Sequence, residues 1–511
     1  MANTYLVGVD LGTSATKAAL YHIDGTLVAE NTVNVPIYYP EPAVVEQDNE
    51  DFYLSAAQSV STCIKESGVD STEIAAIAFD SQMAGVGAID ENYESVSRFD
   101  SWLDMRCEPQ IKYLEEHYGE LITKVTGCPP TCDHGPKILW WKSERPDVYN
   151  KTAKFVMPNG YVAGKMVGLQ PDQAFIDYTF IHFSALSDAL KGNWSKEICN
   201  AVGVDMDKLP TIVEPWHVVG EVSEKAGKDF GLEPGTIIAA GCGDTAAGAL
   251  GAGIVKPGMV FDTAGTASVL AGCTDHFAPD IKNRALLTMR SVIPGLWHPL
   301  AYIAGGGQAL TWFRDTFFNA LRGEPQEEKD LFAELETLAE KAPLGSEDLF
   351  FSPHLTGRIC PATPEMRGAW VGFSFSHSQE HFYRAVLESV AYEYAYYLKI
   401  LKELIPNLNL TEARVIGGGA KSEVWNQIKA DVLGVPFLGL TRSEFGTWGA
   451  AMIAGKAVGI YSDLAEVAFE HAVPAGKPLE PDMEKHAQYE GYVERYIELQ
   501  ETLANTFHSF S

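Results

Sequence analysis

Two stretches of this chain, half its length apart, are built alike. "VGVDLGTSAT" (7–16) and "FDTAGTAS" (261–268) each bring an apolar, strand-like segment to an aspartate, bend through a short turn, and run on through Gly-Thr to Ser or Ala. The second carries one extra residue before its Gly. A separation of about 250 residues is far longer than a solenoid period. The echo predicts two halves of one plan, each ending a strand in a hydroxyl-rich loop offered to a shared cleft.

Other strand-like runs fit that plan. "YLVGVD" (5–10), "IAAIAFD" (74–80), "TIIAAGCGD" (236–244), "MVFDTAG" (259–265), "LAYIAGGG" (300–307) and "ARVIGGG" (413–419) all close on Gly or Asp. Helical patterns lie between several of them. In "HFYRAVLESVAYEYAYYLKIL" (381–401), Phe382, Val386, Val390, Tyr394 and Leu398 form one stripe at i+4 spacing. Strands alternating with long helices predict an α/β architecture with sheets largely covered by helices. Gly and Pro break the pattern at "GAGIVKPGM" (251–259), which sets the expected boundary. The predicted division is 1–253, 254–455 and a helical extension 456–511, with "YEGYVERYIELQETL" (489–503) as an amphipathic tail helix.

A chain of 511 residues can bury two or three cores, and 46% hydrophobic with 21% charged residues is the make-up of a globular protein. The formal charge of −30 excludes a general nucleic-acid binder, which needs a basic face. An anionic ligand would have to be met by backbone donors and metal. The opening "MANTYLVGVD" has no basic segment leading into an apolar run, and no 18-residue apolar stretch follows, so neither a signal peptide nor a membrane span is expected. The eight cysteines are scattered, and the closest pair, Cys128 and Cys132, has no second pair near it, so reduced cytoplasmic thiols are expected and a zinc site is not.

The turns carry the chemistry. A strand entering a tight Gly-Thr-Ser bend points successive N–H groups and hydroxyls outward, which suits an anion. No GxxxxGK[ST] occurs, and no GxGxxG follows the first strand, so phosphates would be cradled by turns and not by a Walker loop. Asp10 then has a purpose that a plain turn would not give it: Mg²⁺ takes one or two carboxylates together with water and phosphate oxygens. In "GCGDTAAGALGAG" (241–253), Asp244 follows a strand and precedes a small-residue helix. It is either a general base that accepts a hydroxyl proton or a cap of that helix. "GGGAKSEVWNQIKADVLG" (417–434) reads as strand, triple Gly and helix, a corner that admits a nucleotide or simply turns the chain. His377 and His381 share i,i+4 spacing with no third ligand, Cys242 reads as a small packed residue, and the tyrosines of 392–397 read as core or interface.

Taken in order, these segments resemble the FGGY carbohydrate kinases of the sugar kinase, heat-shock chaperone and actin superfamily. The resemblance rests on "VGVDLGTSATKAAL" (7–20), "VVEQDNEDF" (44–52), "SQMAGVGAID" (81–90), "SWLDMR" (101–106), "GPKILWW" (135–141), "GCGDTAAGALGAG" (241–253) and "FDTAGTASVL" (261–270). It continues through "RGAWVGFSFSHSQEHFYRAVLES" (367–389), with Gly368, Gly372, His381, Ala385 and Glu388 in the family's second signature, and through "GGGAKSEVWNQI" (417–428) and "FGTWGAAMIAG" (445–455). It implies two actin-like, ribonuclease H-like ATPase domains around a deep cleft, with sugar on the N-terminal and ATP on the C-terminal domain. It implies ATP-dependent phosphorylation of a sugar or polyol hydroxyl, with Mg²⁺. By position, Asp10 is the metal and phosphate carboxylate, and Gly12, Thr13 and Ser14 form the first phosphate turn. Asp244 is the catalytic base. Gly265 and Thr266 hold the terminal phosphates. Gly418, Gly419 and Ala420 border the adenosine, with Asn426 on the next helix.

Within the family the chain is most similar to the xylulokinases, which act on ketopentoses. Gln82, Met83, Trp102, Asp104, Arg106, Asp244 and Thr245 are the implied sugar contacts. Two positions depart from the xylulokinase pattern: Ala84 stands for a His and Thr245 for an Asn. An unmatched buried hydroxyl costs roughly 1–3 kcal/mol, so these changes bear on which sugar is accepted. Asp104 and Arg106 also have a second reading, as an ion pair that holds a loop. The expected reaction converts D-xylulose to D-xylulose 5-phosphate. The alternatives are another pentulose, a tetritol, glycerol or a sugar acid as acceptor, or an actin-like or chaperone-like ATPase without sugar chemistry. The expected partners are MgATP and a small sugar, with no nucleic acid and no membrane, and a homodimer as the commonest closed assembly.

Overall fold

The computed structural model describes residues 4–265, 267–318 and 328–510. They form two compact units: 1–255 with 288–297 and 444–472, and 256–287 with 298–443 and 473–511. Each has its own sheet.

In the first unit, β1 (Tyr5–Leu11), β2 (Ala15–His22), β3 (Leu27–Asn34), β4 (Ile74–Ser81), β5 (Val218–Glu221), β6 (Ile237–Ala239) and β7 (Cys242–Gly243) make one seven-stranded sheet. Its order is β5-β6-β4-β1-β2-β3, with β7 also pairing β4. β1 and β2 are an antiparallel hairpin, whereas β1, β6 and β7 all run parallel to β4. Every residue of β4 is buried, as its unbroken "IAAIAFDS" requires of a strand covered on both faces. The run 236–244 predicted as one strand is interrupted. Gly241 adopts φ +79°, and a Cβ there would stand 1.7 Å from the Phe79 carbonyl oxygen. Only glycine lets the chain step over that carbonyl and resume pairing at Cys242.

The second unit repeats the plan. β8 (Met259–Ala264) and β9 (Ser268–Gly272) form the antiparallel hairpin, β10 (Trp297–Ile303) pairs antiparallel with β9, and β11 (Glu412–Ile416) runs parallel to β8 with β12 (Phe437–Gly439) beyond it. The helix Gln379–Leu404 covers this sheet through the predicted stripe, in which Val386, Val390, Tyr394 and Leu398 are buried and Phe382 is half-buried. The tail helix runs Met483–His508 and buries Tyr489, Tyr496 and Gln500. No helix among the described residues is long and apolar enough to cross a membrane.

These units cut the chain differently from the boundaries expected at 253 and 455. Residues 444–472 go with the first unit because the helix Gly446–Ala457 lies backbone to backbone on β1 and on the helix Asp244–Gly251. A Cβ on Gly8 would stand 1.8 Å from the Thr447 carbonyl oxygen, one on Gly449 would stand 2.2 Å from that of Ala247, and one on Gly251 would stand 2.1 Å from that of Phe445. The small-residue helix after Asp244 thus lets a backbone approach closely, and its partner is distant in sequence. The predicted 456–511 extension is thus shared, with its last helix in the second unit.

The contact at Gly8 is with backbone and cannot be relieved by a rotamer change. Gly8→Ala should lower stability by ~1–3 kcal/mol in urea unfolding. Gly476→Ala, with nothing within 4 Å of the added methyl, should stay within ~0.5 kcal/mol of the parent. Equal unfolding midpoints for the two variants would refute the packing described.

Candidate active site

Parallel pairing sets the chemistry of the first unit. In the register of β1 with β4, Asp10 stands opposite Asp80; in that of β7 with β4, Cys242 stands opposite Asp80 and leads through Gly243 into Asp244. Three neighbouring strand ends therefore deliver three carboxyls to one place. Asp10 and Asp244 keep part of their surface open, whereas Asp80 is fully buried. Asp244 is the first residue of its helix, not the cap: Gly243 holds the cap position, and Asp244 Oδ1 accepts from the Thr245 amide at 2.6 Å and the Thr245 hydroxyl at 3.2 Å.

Enclosure makes all three weaker acids. Burial pushes Asp10 up to about 6, with Glu444 adding to the rise and with Asp80 and Lys17 opposing it. Asp80 is pushed well above the usual aspartate range by burial and then by the charges of Asp10 and Asp244. Asp244 is pushed up to about 7 by burial and by Asp10, against the two donors of Thr245.

The first turn is held from below. The Gly12 amide donates to the Ala15 carbonyl at 3.1 Å and closes the bend between β1 and β2. Trp102 Nε1 donates to Thr13 Oγ1 at 2.9 Å, Gln47 Nε2 donates to the Thr13 carbonyl at 2.9 Å, and Gln82 Nε2 donates to Gln47 Oε1 at 2.7 Å. Thr13, Trp102 and Gln82, predicted from separate segments, thus belong to one network. Ser14 is exposed, and its carbonyl accepts from Val35. Met83 is buried and fills the space over Gly243, where a Cβ would meet its sulfur at 2.7 Å.

Asp104 and Arg106 spend their polar atoms on the protein. Arg106 Nε lies 2.9 Å from both Asp104 oxygens, its Nη2 reaches Glu46 Oε1 at 2.7 Å, and Asp104 Oδ2 accepts from the Val45 amide at 2.7 Å. The guanidinium also lies over Trp140, 5.0 Å from the ring centroid. The loop-holding reading of this pair matches that geometry.

In the second unit, the Gly265 amide donates to the Ala267 carbonyl at 3.1 Å; Thr266 lies outside the described residues. The turn Gly418–Lys421 packs on the end of β8, since a Cβ on Gly419 would stand 2.6 Å from Cβ of Ala264. Ala420 closes the turn through its amide to the Gly417 carbonyl, and buried Asn426 donates to the Gly419 and Ala420 carbonyls at 3.2 and 3.1 Å. Gly265, Gly418, Gly419, Ala420 and Asn426 therefore form one cluster, with Asn426 as its brace.

Sequence reasoning missed Asp80, Gln47 and Thr179. "IAAIAFD" was read only as a strand, although it ends in Asp as β1 does. Thr179 Oγ1 accepts from the Gly243 amide at 2.9 Å while donating to Asp177 Oδ1 at 2.6 Å, which fixes the peptide before Asp244. Nothing in its local sequence signals that link. His381 serves its helix end through Ser378, as its lone spacing implied, and the buried Cys242 thiol is pushed far above the reactive range by desolvation.

Residues 5–251 match the N-terminal domain of the FGGY family of carbohydrate kinases, and residues 262–458 match the C-terminal domain of the same family. The chain is 28% identical over 466 residues to a xylulose kinase of Bacillus subtilis (strain 168), covering 91% of this chain and 90% of that one. It is 29% identical over 439 residues to a gluconokinase of the same organism, with 84% and 83% covered. A crystal structure of ligand-bound xylulose kinase from Lactobacillus acidophilus has the same fold, with a TM-score of 0.90 at 23% identity and 99% and 100% coverage.

The raised pKa values have a consequence for the protein without metal. Each carboxyl holds its proton more tightly in the fold than in the unfolded chain, so its contribution is whole below about pH 4 and is lost as pH rises through the folded values near 6 and 7. Asp80→Asn removes the most enclosed charge and keeps the shape. In EDTA, we expect the variant's stability relative to the parent to rise by ~1–3 kcal/mol between pH 4 and pH 8 in urea unfolding. The absence of such a rise would contradict the arrangement.

Proposed function

Because this chain belongs to the FGGY family of carbohydrate kinases, which draw their phosphate from ATP, we propose that it is a cytoplasmic pentulose kinase converting D-xylulose to D-xylulose 5-phosphate. The observation that carries the mechanism is Asp244: a partly open carboxylate at the head of a helix, pushed up to about 7 by burial and Asp10, with Thr245 its one donor among the described residues. All eight cysteines are free thiols, which supports a reducing compartment. A homodimer is the proposed assembly on symmetry grounds.

In the proposed reaction a primary hydroxyl oxygen bonds to the γ-phosphorus, the bond to the β,γ-bridging oxygen breaks, ADP leaves, and the hydroxyl proton passes to Asp244. Such transfers need positioning and charge neutralisation more than covalent catalysis. The turn Gly12–Ser14, with Gly265 and Thr266, would hold phosphate oxygens, and the Gly418–Ala420 turn braced by Asn426 would border the adenosine. Gln82, Met83 and Trp102 would meet the sugar.

Asp10 is the proposed Mg²⁺ carboxylate. The residues fit that ion: Asp10 Oδ2 lies 3.7 Å from where a methyl on Gly446 would stand, so a glycine leaves the space beside it open. Mg²⁺ takes one or two carboxylates and keeps water and phosphate oxygens, so a single carboxylate beside an open space suits it. When bound, it neutralises phosphate charge.

A sugar acid is the second reading, favoured by Ala84, by Thr245 and by the likeness to a gluconokinase. A coupled ADP-release assay should rank D-xylulose first by kcat/KM over D-ribulose, D-gluconate, a tetritol and glycerol; D-gluconate in first place would establish the second reading. ATP turnover independent of any sugar would speak for an ATPase instead. Asp244→Asn should lower kcat by ~10²–10⁴ with ATP affinity retained. Near-parental turnover in that variant would remove Asp244 from the mechanism.

A further inference from the structure

We propose that Asp80 is a second carboxylate ligand of the cation site, completing with Asp10 a two-carboxylate cradle that binds a divalent cation before any nucleotide arrives. The proposal rests on the reading of Asp10 as the metal carboxylate and adds a residue that the family resemblance did not supply.

Asp80 is 0% exposed, and among the described residues no Lys, Arg, amide or hydroxyl side chain donates to either of its oxygens; the group it faces is the carboxyl of Asp10, with which it shares a proton when no cation is bound. Both carboxyls converge on one point. From the position that a Cβ on Gly446 would take, Asp80 Oδ2 lies at 3.5 Å, Asp80 Oδ1 at 3.6 Å and Asp10 Oδ2 at 3.7 Å. Gly446 and Asp10 are themselves half-buried, so an ion can enter from their side. Three hard oxygens around a space left by a glycine form the donor set that a small divalent ion takes.

Charge balance favours the same conclusion. Among the described residues no Lys or Arg forms a salt bridge with Asp10, Asp80 or Asp244. The nearby Lys17 is committed to Glu444 at 2.7 Å. The helix that begins at Gly446 offers roughly half a positive charge from its N-terminus, which is too little to balance two carboxylates. A structural polar group in such a place would be satisfied by donors. A metal ligand is satisfied when its ion binds.

The test is Mn²⁺ binding to the full-length protein without nucleotide, followed by electron paramagnetic resonance of the free ion and competed with Mg²⁺. The parent should bind Mn²⁺. Asp80→Asn should weaken binding at least tenfold, Asp80→Ser should do the same, and Gly446→Ala should weaken it by placing a methyl in the cradle. The far-ultraviolet circular dichroism of each variant should match the parent, and a variant that fails this check is replaced in the comparison by the other two. A parent that binds no Mn²⁺ without nucleotide, or Asp80 variants that bind as the parent does, overturns the proposal. Asp10→Asn separates the two readings. If it abolishes binding while the Asp80 variants bind normally, this inference alone fails; if it too leaves binding unchanged, the assignment of Asp10 fails with it.

Discussion

The first unit depends on a register. Parallel strands place residues at equal height on the same face, so once β1 and β4 are paired with Asp10 opposite Asp80, the two carboxyls must meet, and β7 adds Asp244 one step beyond. No side-chain choice elsewhere can separate them. The sheet is stabilised by the buried apolar residues of β1, β2 and β4, and in its covered strands β1 and β4 the acids stand near the strand ends, close to where the hydrogen-bond ladder stops. That is also where a parallel sheet opens to a ligand. The same pairing that builds the core therefore fixes the site, and raised pKa values are its unavoidable by-product.

The second unit handles its buried charge in the opposite way. Asp262, on β8 below the second turn, is fully buried but pairs with Lys429 and accepts from Tyr394 at 2.8 Å. Glu393 is sealed too. Burial alone would push it up, yet Arg358 and His354 outweigh that and hold it at about 2, with Tyr397 and Tyr496 also donating. Tyr496 belongs to the tail helix, and Tyr489 of the same helix donates to Glu388 at 2.8 Å. These bonds explain why the last helix belongs to this unit. Removing one partner of such a network leaves a buried charge uncompensated, which costs several kcal/mol. Against that background the carboxyls of the first unit stand out: among the described residues the side-chain partner of Asp80 is another acid, Asp10, and not a cation.

How far the sequence disclosed this depends on the kind of signal. Asp10 and Asp244 were legible because each sits between a strand and a glycine-rich bend, a local pattern with a chemical reason. The repeated hairpin-plus-parallel-strand plan was legible from the echo at 261–268. Asp80 was not, because β4 runs into Ser-Gln without a glycine turn and its importance comes only from the strand beside it. The shared fate of 444–472 was illegible for a related reason: small residues announce a close approach without naming the partner. Asp104 and Arg106 show the converse. Their residue types suit hydroxyl binding, but Glu46 and Val45, nearly 60 residues earlier, take up the polar atoms.

The two departures that bear on substrate choice also take on a physical form. Ala84 is buried at φ +61°, and its carbonyl accepts from the buried Lys137 at 3.0 Å. The position is thus part of a tight bend that leaves little reach for a side chain. Thr245 directs its amide and its hydroxyl at Asp244. An Asn in its place could offer two donors and an acceptor, but this threonine has one hydroxyl proton, and that proton is spent on the carboxylate. Both positions that the resemblance assigned to sugar hydroxyls therefore spend these groups on the protein. On the proposed reading, acceptor choice would fall to Gln82, whose Oε1 has no partner among the described residues, to the ring face of Trp102, whose N–H is spent on Thr13, and to the shape left by the missing imidazole. A site with fewer polar readers discriminates more by shape and less by hydroxyl pattern, because no unmatched buried donor is left to penalise the wrong sugar.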